Sequence, residues 1–306
     1  RKKAPNALNI LDRFHIMKYF NEAIALNPGY ALAYCGLADN YGFFGSVTIP
    51  GREAWVKQRA LAEKALALDP NLAEAHFSLG LALVDAFEWE PGLAKIRRAL
   101  ELNPNYALAH DQHAFVLTCF GRFDEAIAAE RKALALDPLS ALMHSGLAWW
   151  LYNARRYDES VAEARMALEL DPNLAWGYST LGCSLIQKGD LAGGLDAFLK
   201  SKSLDEQPWF DGMIGYIHAR SGNRANAEEV LRNLKALAQR RYVTPSAFII
   251  VHLGLGEKGK ALDWLERAYE EQDGISCWWL KVEPLYDHLR AEPRFQALLK
   301  KVGLDK

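Results

Sequence analysis

The middle of the chain repeats itself at a fixed spacing. Three segments of similar sequence open with AEAHFSLG, ALAHDQHA and ALMHSGLA and close at Pro104, Pro138 and Pro172. These prolines are 34 residues apart, and each follows Asp or Asn. A constant period of this length predicts a repeat architecture, in which each unit packs mainly on its neighbours in sequence.

The apolar residues of each unit recur at helical spacing and predict two helices, A and B. Small residues hold one position in each helix, and they mark the points where two helices approach closely. These positions are Gly80, Ala114, Ala148 and Gly182 in helix A, and Ala99, Ala133 and Ala167 in helix B. The closing proline disfavours helix in the residue before it, so it ends the unit.

The same register extends the array over residues 1–271 and predicts an all-α solenoid. The predicted units are 12–28 (partial), 31–70, 73–104, 107–138, 141–172, 175–208, 209–241 and 244–271. Because Pro70 follows Pro28 by 42 residues instead of 34, an insertion at Gly45–Arg52 is predicted to form a loop. Residues 272–306 predict two short helices, starting near Glu283 and Glu292, that cap the end of the solenoid.

The motif Leu79-Gly80 and its counterpart Leu181-Gly182, together with the alanines and prolines above, carry a family resemblance. Aromatic residues of helix B add to it: Phe123, Tyr157 and Phe198. Over Asp12–Glu271 the chain resembles the tetratricopeptide repeat (TPR) family. The resemblance implies a right-handed superhelix whose concave surface is lined by helix A. Histidines replace the usual helix A tryptophan in the three central units.

A second resemblance concerns the context of the array. The segments LNPGYALAYCGLAD and LKVEPLYDHLRAEPRFQALLKKVGL are similar to the C-terminal TPR regions of bacterial multidomain signalling proteins. Those proteins carry an adenylate or guanylate cyclase, a Ser/Thr kinase or a winged-helix domain, which would precede Arg1 here. The resemblance implies a regulatory or scaffolding part of a bacterial signal-transduction protein, and we expect the chain to be a piece of a longer protein.

Composition and motifs favour a protein without catalytic chemistry of its own. The 36 basic and 38 acidic residues lack the basic excess of a nucleic-acid surface, and no apolar run is long enough to span a membrane. The four cysteines are far apart, as is typical of reduced thiols in a cytoplasmic protein. No GxSxG, P-loop, dinucleotide or HExxH motif occurs. We therefore predict no enzyme activity and no cofactor.

The histidines His76, His110 and His144 recur at the 34-residue period. Equivalent positions in successive repeats are about 10 Å apart, because that is the packing distance of helices. Metal ligands must converge on one ion at about 2 Å, so these histidines cannot share a metal. A structural role in packing is predicted for them.

The helix A positions expected to face the concave surface are rich in aromatic side chains. The candidate partner-binding residues are Phe77, Leu81, Asp111, Phe115, Trp149, Tyr152, Trp176, Trp209 and Tyr216. Exposed aromatic side chains supply much of the energy of protein interfaces. The basic residues needed to hold an acidic C-terminus are missing there, so the predicted partner is an apolar or amphipathic peptide or helix.

Other interpretations of the same residues stay open. The inward-facing aromatic residues could instead be core residues between helices, or could bury against the ends of the chain itself. The array could be a spacer or a homo-oligomerisation element, with the pair Trp278-Trp279 as the self-contact. It could also be a sensor domain for a small ligand.

Overall fold

Helices and short turns make up the architecture. The computed structural model describes residues 5–45, 49 and 51–305, and the side chains of residues 15–42, 49 and 51–305. In this part of the chain there are seventeen α-helices, one 3-10 helix and no β-strand. None of the described helices is both long and apolar enough to cross a membrane. The predicted fold class, an all-α solenoid of helical repeats, is confirmed.

The helices alternate between two sets along the chain. The A helices are α2 (Ala31–Gly45), α4 (Ala73–Asp85), α6 (Ala107–Cys119), α8 (Ala141–Asn153), α10 (Ala175–Gln187), α12 (Pro208–Arg220) and α14 (Pro245–Gly254). The B helices are α1 (Pro5–Leu26), α3 (Gly51–Leu68), α5 (Trp89–Leu102), α7 (Phe123–Leu136), α9 (Tyr157–Leu170), α11 (Leu191–Leu204), α13 (Arg224–Ala238) and α15 (Lys258–Glu270). Each helix packs on the next one in sequence, and most A helices also pack on the A helix of the next unit.

The Asp-Pro and Asn-Pro pairs build the turn between units. The Oδ1 atom of the acidic or amide residue accepts a hydrogen bond from the N–H two residues later, at Asp69 (3.0 Å), Asn103 (3.2 Å) and Asp171 (2.9 Å). The backbone of Asn103 and Asp171 is extended, with φ −136° at both. This is the conformation that a following proline favours, and it ends helix B at the predicted place.

The recurring histidine stabilises the same turn. Its Nε2 atom donates a hydrogen bond to the proline carbonyl oxygen six residues earlier, in the pairs His76–Pro70 (3.0 Å), His110–Pro104 (2.9 Å) and His144–Pro138 (3.4 Å). The histidine therefore ties the first turn of helix A to the end of the preceding unit. Among the described residues, no group of three or more His, Cys, Asp or Glu is arranged to hold a metal ion.

The small residues lie where the two helices of a unit cross. A Cβ atom on Gly80 of α4 would lie 2.8 Å from Cγ1 of Ile96 and 3.1 Å from the carbonyl oxygen of Gly92, both on α5. The alanines at the equivalent helix B positions are fully buried: Ala99, Ala133 and Ala167. Helix spacing at these crossings is thus set by the absence of a side chain.

The array curves until its last helices reach its early units. The ring of Phe87, which follows α4, stacks on Tyr269 of α15 with centroids 6.3 Å apart. The Oε1 atom of Gln272 accepts hydrogen bonds from Arg52 Nε (2.9 Å) and Trp55 Nε1 (3.1 Å). Arg52 and Gln272 are 220 positions apart in sequence, so these contacts close the array on itself.

The C-terminal segment contains α16 (Gly274–Cys277), a 3-10 helix (Pro284–Leu289) and α17 (Pro293–Val302). The last two begin next to the predicted starting points. All three pack on the last helix pair, α14 or α15. Residues 46–48 and 50 of the predicted insertion lie outside the described residues, and its last two residues, Gly51 and Arg52, lie against Gln272. The division into a solenoid and a cap stays a prediction.

Two glycine substitutions test the helix crossing. We expect Gly80→Ala to lower the free energy of unfolding by about 1–3 kcal/mol, because the added methyl group overpacks the contact with Ile96. The matched control is Gly259→Ala in α15, where no atom lies within 4 Å of the new Cβ. That change should be neutral or stabilising by about 0.5–1 kcal/mol. Urea unfolding followed by circular dichroism measures both, and equal effects would contradict the crossing argument.

Candidate functional site

Residues 274–304, called the strap below, lie on the face formed by the A helices. The ring of Phe115 on α6 makes edge contacts with Trp278 and Trp279 of the strap, at centroid distances of 5.2 and 5.1 Å. Trp149 on α8 also contacts Trp279, at 5.7 Å. The apolar side chains of the strap are buried, including Leu280, Leu289 and Phe295. The strap and the inner face thus share one hydrophobic core.

Three side chains of earlier units, Tyr152, Trp89 and Arg155, donate hydrogen bonds to the strap. Tyr152 Oη donates to Glu283 Oε1 at 2.6 Å, and Trp89 Nε1 donates to the carbonyl oxygen of Val302 at 2.6 Å. Arg155 donates to the carbonyl oxygen of Val282 (2.6 Å) and to Asp287 Oδ1 (2.9 Å). Burial raises the pKa of Glu283.

The strap also holds its own shape. Arg290 donates hydrogen bonds to three carbonyl oxygens of the strap, those of Leu280, Lys281 and Glu283. At its start, the buried carboxylate of Asp273 caps α16 by accepting from the backbone N–H of Ser276. Arg290 therefore fixes the backbone between Leu280 and Glu283, the stretch that follows the two tryptophans and carries the Glu283 carboxyl group.

The nine predicted groove residues differ in how deeply they are buried. Five of them are buried, so the expectation of an open aromatic groove is corrected for Phe77, Leu81, Phe115, Trp149 and Tyr152. Phe77 packs on Tyr106 of a neighbouring turn. Phe115, Trp149 and Tyr152 are covered by the strap, because residues more than a hundred positions later fold back over them. Whether any of the nine binds a partner stays a prediction.

Three of the remaining predicted residues form what we call the open strip: Trp176, Trp209 and Tyr216. All three are only partly buried. The rings of Trp176 and Trp209 are 6.1 Å apart, and Trp149 lies 5.2 Å from Trp176. The open strip therefore continues the aromatic surface beyond the point where the strap covers it.

The ninth predicted residue, the partly buried Asp111, lies next to the fully buried Glu130. A Cβ atom on Gly146 would lie 3.2 Å from Asp111 Oδ1 and 3.6 Å from Glu130 Oε1. Trp150 Nε1 donates to Glu130 Oε2 at 2.8 Å, and Gln112 Nε2 donates to Asp111 Oδ2 at 2.8 Å. Burial raises the pKa of both carboxyl groups. Trp150 in turn packs on Trp279, so the pair lies directly behind the strap.

Unlike the exposed Glu125 and Glu159 of the B helices, Glu130 does not face solvent. It is fully buried. The signal that could have found it is the repeat register, because the equivalent residues 34 positions apart are all apolar and fully buried: Ile96, Ala164 and Phe198. A carboxyl group in an otherwise apolar register position needs a polar partner, and Trp150 supplies one.

The carboxyl group of Asp85 lies where the array closes. Asp85 ends α4 beside a small cavity whose other lining residues carry no charge: Gly42, Gly51, Ala54, Trp55, Gln272, Gly274 and Trp278. Burial without a neutralising partner raises the pKa of Asp85 to about 8. At neutral pH this group is therefore largely protonated in the closed array.

Comparisons with known proteins establish the fold and no more. No protein-family model matches the chain, and no curated protein matches it. The structure is similar to a chain of the APC/C heterotetramer Cut9–Hcn1, with 14% identity and a TM-score of 0.64, over 95% of this chain and 52% of that one. It is also similar to PilW, a type IV pilus biogenesis factor, with 20% identity and a TM-score of 0.56, over 69% of this chain and 94% of that one. YrrB, a TPR protein with an unusual peptide-binding site, is 20% identical at a TM-score of 0.40, over 61% of this chain and 92% of that one.

Removal of one hydroxyl group tests how the strap is held. Tyr152→Phe leaves the buried Glu283 without its hydrogen-bond donor from the inner face, so we expect a loss of about 1–3 kcal/mol in the free energy of unfolding. The matched control is Tyr157→Phe, because the nearby Tyr157 is half-buried and donates no described hydrogen bond. Chemical unfolding of both variants measures the difference, and a control loss as large as that of Tyr152→Phe would refute the assignment.

The buried acids predict that stability falls as pH rises. A carboxyl group whose pKa is raised by folding stabilises the folded state at low pH, and this contribution is lost as pH rises through the folded pKa. We therefore expect the melting temperature to decrease from pH 5 to pH 9. Asp85→Asn should reduce the slope of the free energy of unfolding against pH by up to about 1.4 kcal/mol per pH unit below pH 8. A melting temperature that increases over this range would contradict the prediction.

Proposed function

We propose that this chain is a non-catalytic protein-interaction module that binds a peptide or partner helix at the open strip. The observation that carries the proposal is that the rings of Trp176 and Trp209 lie 6.1 Å apart and, like Tyr216 two turns further along α12, keep part of their surface exposed. Helical solenoids use such faces to hold other chains, and tryptophan and tyrosine are the residues most often found at binding hot spots.

The surroundings of the open strip favour an apolar or amphipathic partner segment. Lys202 forms an ion pair with Asp211, which lies on α12 next to Trp209. A partner with a strongly charged face would have to break this pair. An amphipathic helix can instead place its apolar stripe on the rings and keep its polar face in water.

The biological setting is proposed from sequence resemblance alone. We infer that the module belongs to a bacterial signalling protein and works in the cytoplasm as a regulatory or scaffolding part. The gene sequence upstream of Arg1 tests this, because a cyclase, kinase or winged-helix domain is expected there. The Trp278-Trp279 pair does not support the homo-oligomer alternative, because both rings pack on Phe115 of the same chain.

Selection from a peptide display library, followed by affinity measurement of single peptides, tests the binding site. We expect selected peptides to bind Trp176→Ala and Trp209→Ala about 30-fold more weakly, the equivalent of a 2 kcal/mol hot spot. Leu139→Ala is the control, since Leu139 is 75% exposed and lies in a turn between units. Circular dichroism checks that the variants stay folded. Peptides that bind folded tryptophan variants as tightly as the unaltered protein would refute the proposal.

A further inference from the structure

Eight helices of the described chain end in the same turn. In each, an N–H bonds to the carbonyl oxygen five residues earlier, and the residue before that N–H has a positive φ. Glycine is the residue that adopts this conformation without strain. Five of the eight positions are glycine, and three are Phe87, Arg155 and Gln272.

The three exceptions are the residues that fasten the closed array. Phe87 stacks on Tyr269, Arg155 bonds to Val282 and Asp287 of the strap, and Gln272 accepts bonds from Arg52 and Trp55. We call Phe87, Arg155 and Gln272 the latch residues.

Three of the five glycines of the same turn have no neighbour that a side chain could contact, since a Cβ atom at Gly189, Gly222 or Gly256 would meet nothing within 4 Å. A Cβ atom at Gly121 would lie 3.8 Å from Val282 Cγ1, and one at Gly303 would lie 3.4 Å from Trp89 Cδ1. A non-glycine residue in the left-handed region costs about 1–2 kcal/mol. Such strain persists where the surrounding contacts offset it, and here those contacts all hold the closed form.

The inner face beneath the strap also carries polar atoms that the strap does not satisfy. Ser145, Trp149 and Asn153 lie on one stripe of α8, and within the described protein no hydrogen-bond partner reaches Ser145 Oγ, Trp149 Nε1 or Asn153 Oδ1. All three residues are buried, and the ring of Trp149 contacts Trp279. Each buried polar atom without a partner costs about 1–3 kcal/mol. A different polypeptide segment could supply the missing donors and acceptor.

We propose that the strap is a displaceable occupant of a docking site, and that this site accepts a polypeptide segment of the same chemistry. The strap itself defines that chemistry: two adjacent tryptophans, Trp278 and Trp279, followed four residues after the second by a carboxylate, Glu283. The tryptophans fill the space beside Phe115, and the carboxylate accepts from Tyr152. The proposal concerns the covered part of the inner face, so it stands independently of binding at the open strip.

Competition between the strap and a partner follows from linkage. A segment tethered in the same chain acts at an effective concentration in the millimolar range, so a free segment binds poorly while the latches hold. Loosening one latch raises the population of the open form and raises the apparent affinity for a free segment by the same factor. The latch residues therefore set how accessible the site is.

A fluorescent peptide with the sequence of residues 276–290 tests the proposal on the full chain. We expect this peptide to bind Asp287→Ala about 3-fold more tightly than the unaltered protein, because that change removes the Arg155 ion pair from the strap and leaves Arg155 available to the peptide. Phe87→Gly loosens a latch whose partner, Tyr269, lies outside the peptide, and it should act in the same direction. The control is Gly189→Arg, which adds strain at the equivalent turn without a latch contact and should bind the peptide as the unaltered protein does.

Two further measurements decide the outcome. A peptide carrying alanine at the positions of Trp279 and Glu283 should not bind any variant. Hydrogen exchange should show faster exchange of strap amides in Asp287→Ala, with α8 amides unchanged. Equal peptide affinity for the unaltered protein and both loosened variants would overturn the proposal. Exchange that rises together in the strap and α8 would also overturn it, since the strap would then be part of one cooperative core.

Discussion

The packing of the strap on the inner face is the interaction on which the rest of the structure depends. Stacked helix pairs bury the surfaces between units, but they leave the A helices with an apolar inner side that no neighbouring unit covers. Phe115, Trp149 and Tyr152 lie on that side, and Trp279 and Glu283 of the strap cover them. The burial of Glu283 and the contact of Arg155 with Val282 belong to the same packing.

The closed form is a balance of favourable and unfavourable contributions. Burial of the strap's apolar side chains favours closure at roughly 25 cal/mol for each Å² removed from water. Opposing it are the left-handed turns at Phe87, Arg155 and Gln272, and the enclosed carboxyl groups of Asp85 and Glu130. Strained and polar groups of this kind gather where a protein changes state, because they reduce the free-energy gap between two arrangements.

The sequence predicted the regular part of the structure well because that part is local. Helix ends follow from Asp-Pro and Asn-Pro pairs, and helix crossings follow from small residues such as Gly80, so both are visible within one repeat. The register also indicates that Glu130 is buried, because its position is apolar in the neighbouring units. Arg155 was not predicted as a contact residue, although Gly121 and Gly189 occupy the equivalent turns.

The amino-acid sequence by itself determined the repeat period, the helix pairs and the aromatic character of the inner face. The tertiary structure alone decided that this face is largely filled, and that Trp176, Trp209 and Tyr216 remain partly exposed. The physical reason is the curvature of the solenoid, which is the sum of small rotations between successive units. Only that sum brings Arg52 to Gln272 and Tyr152 to Glu283, and no pattern within a single repeat encodes it.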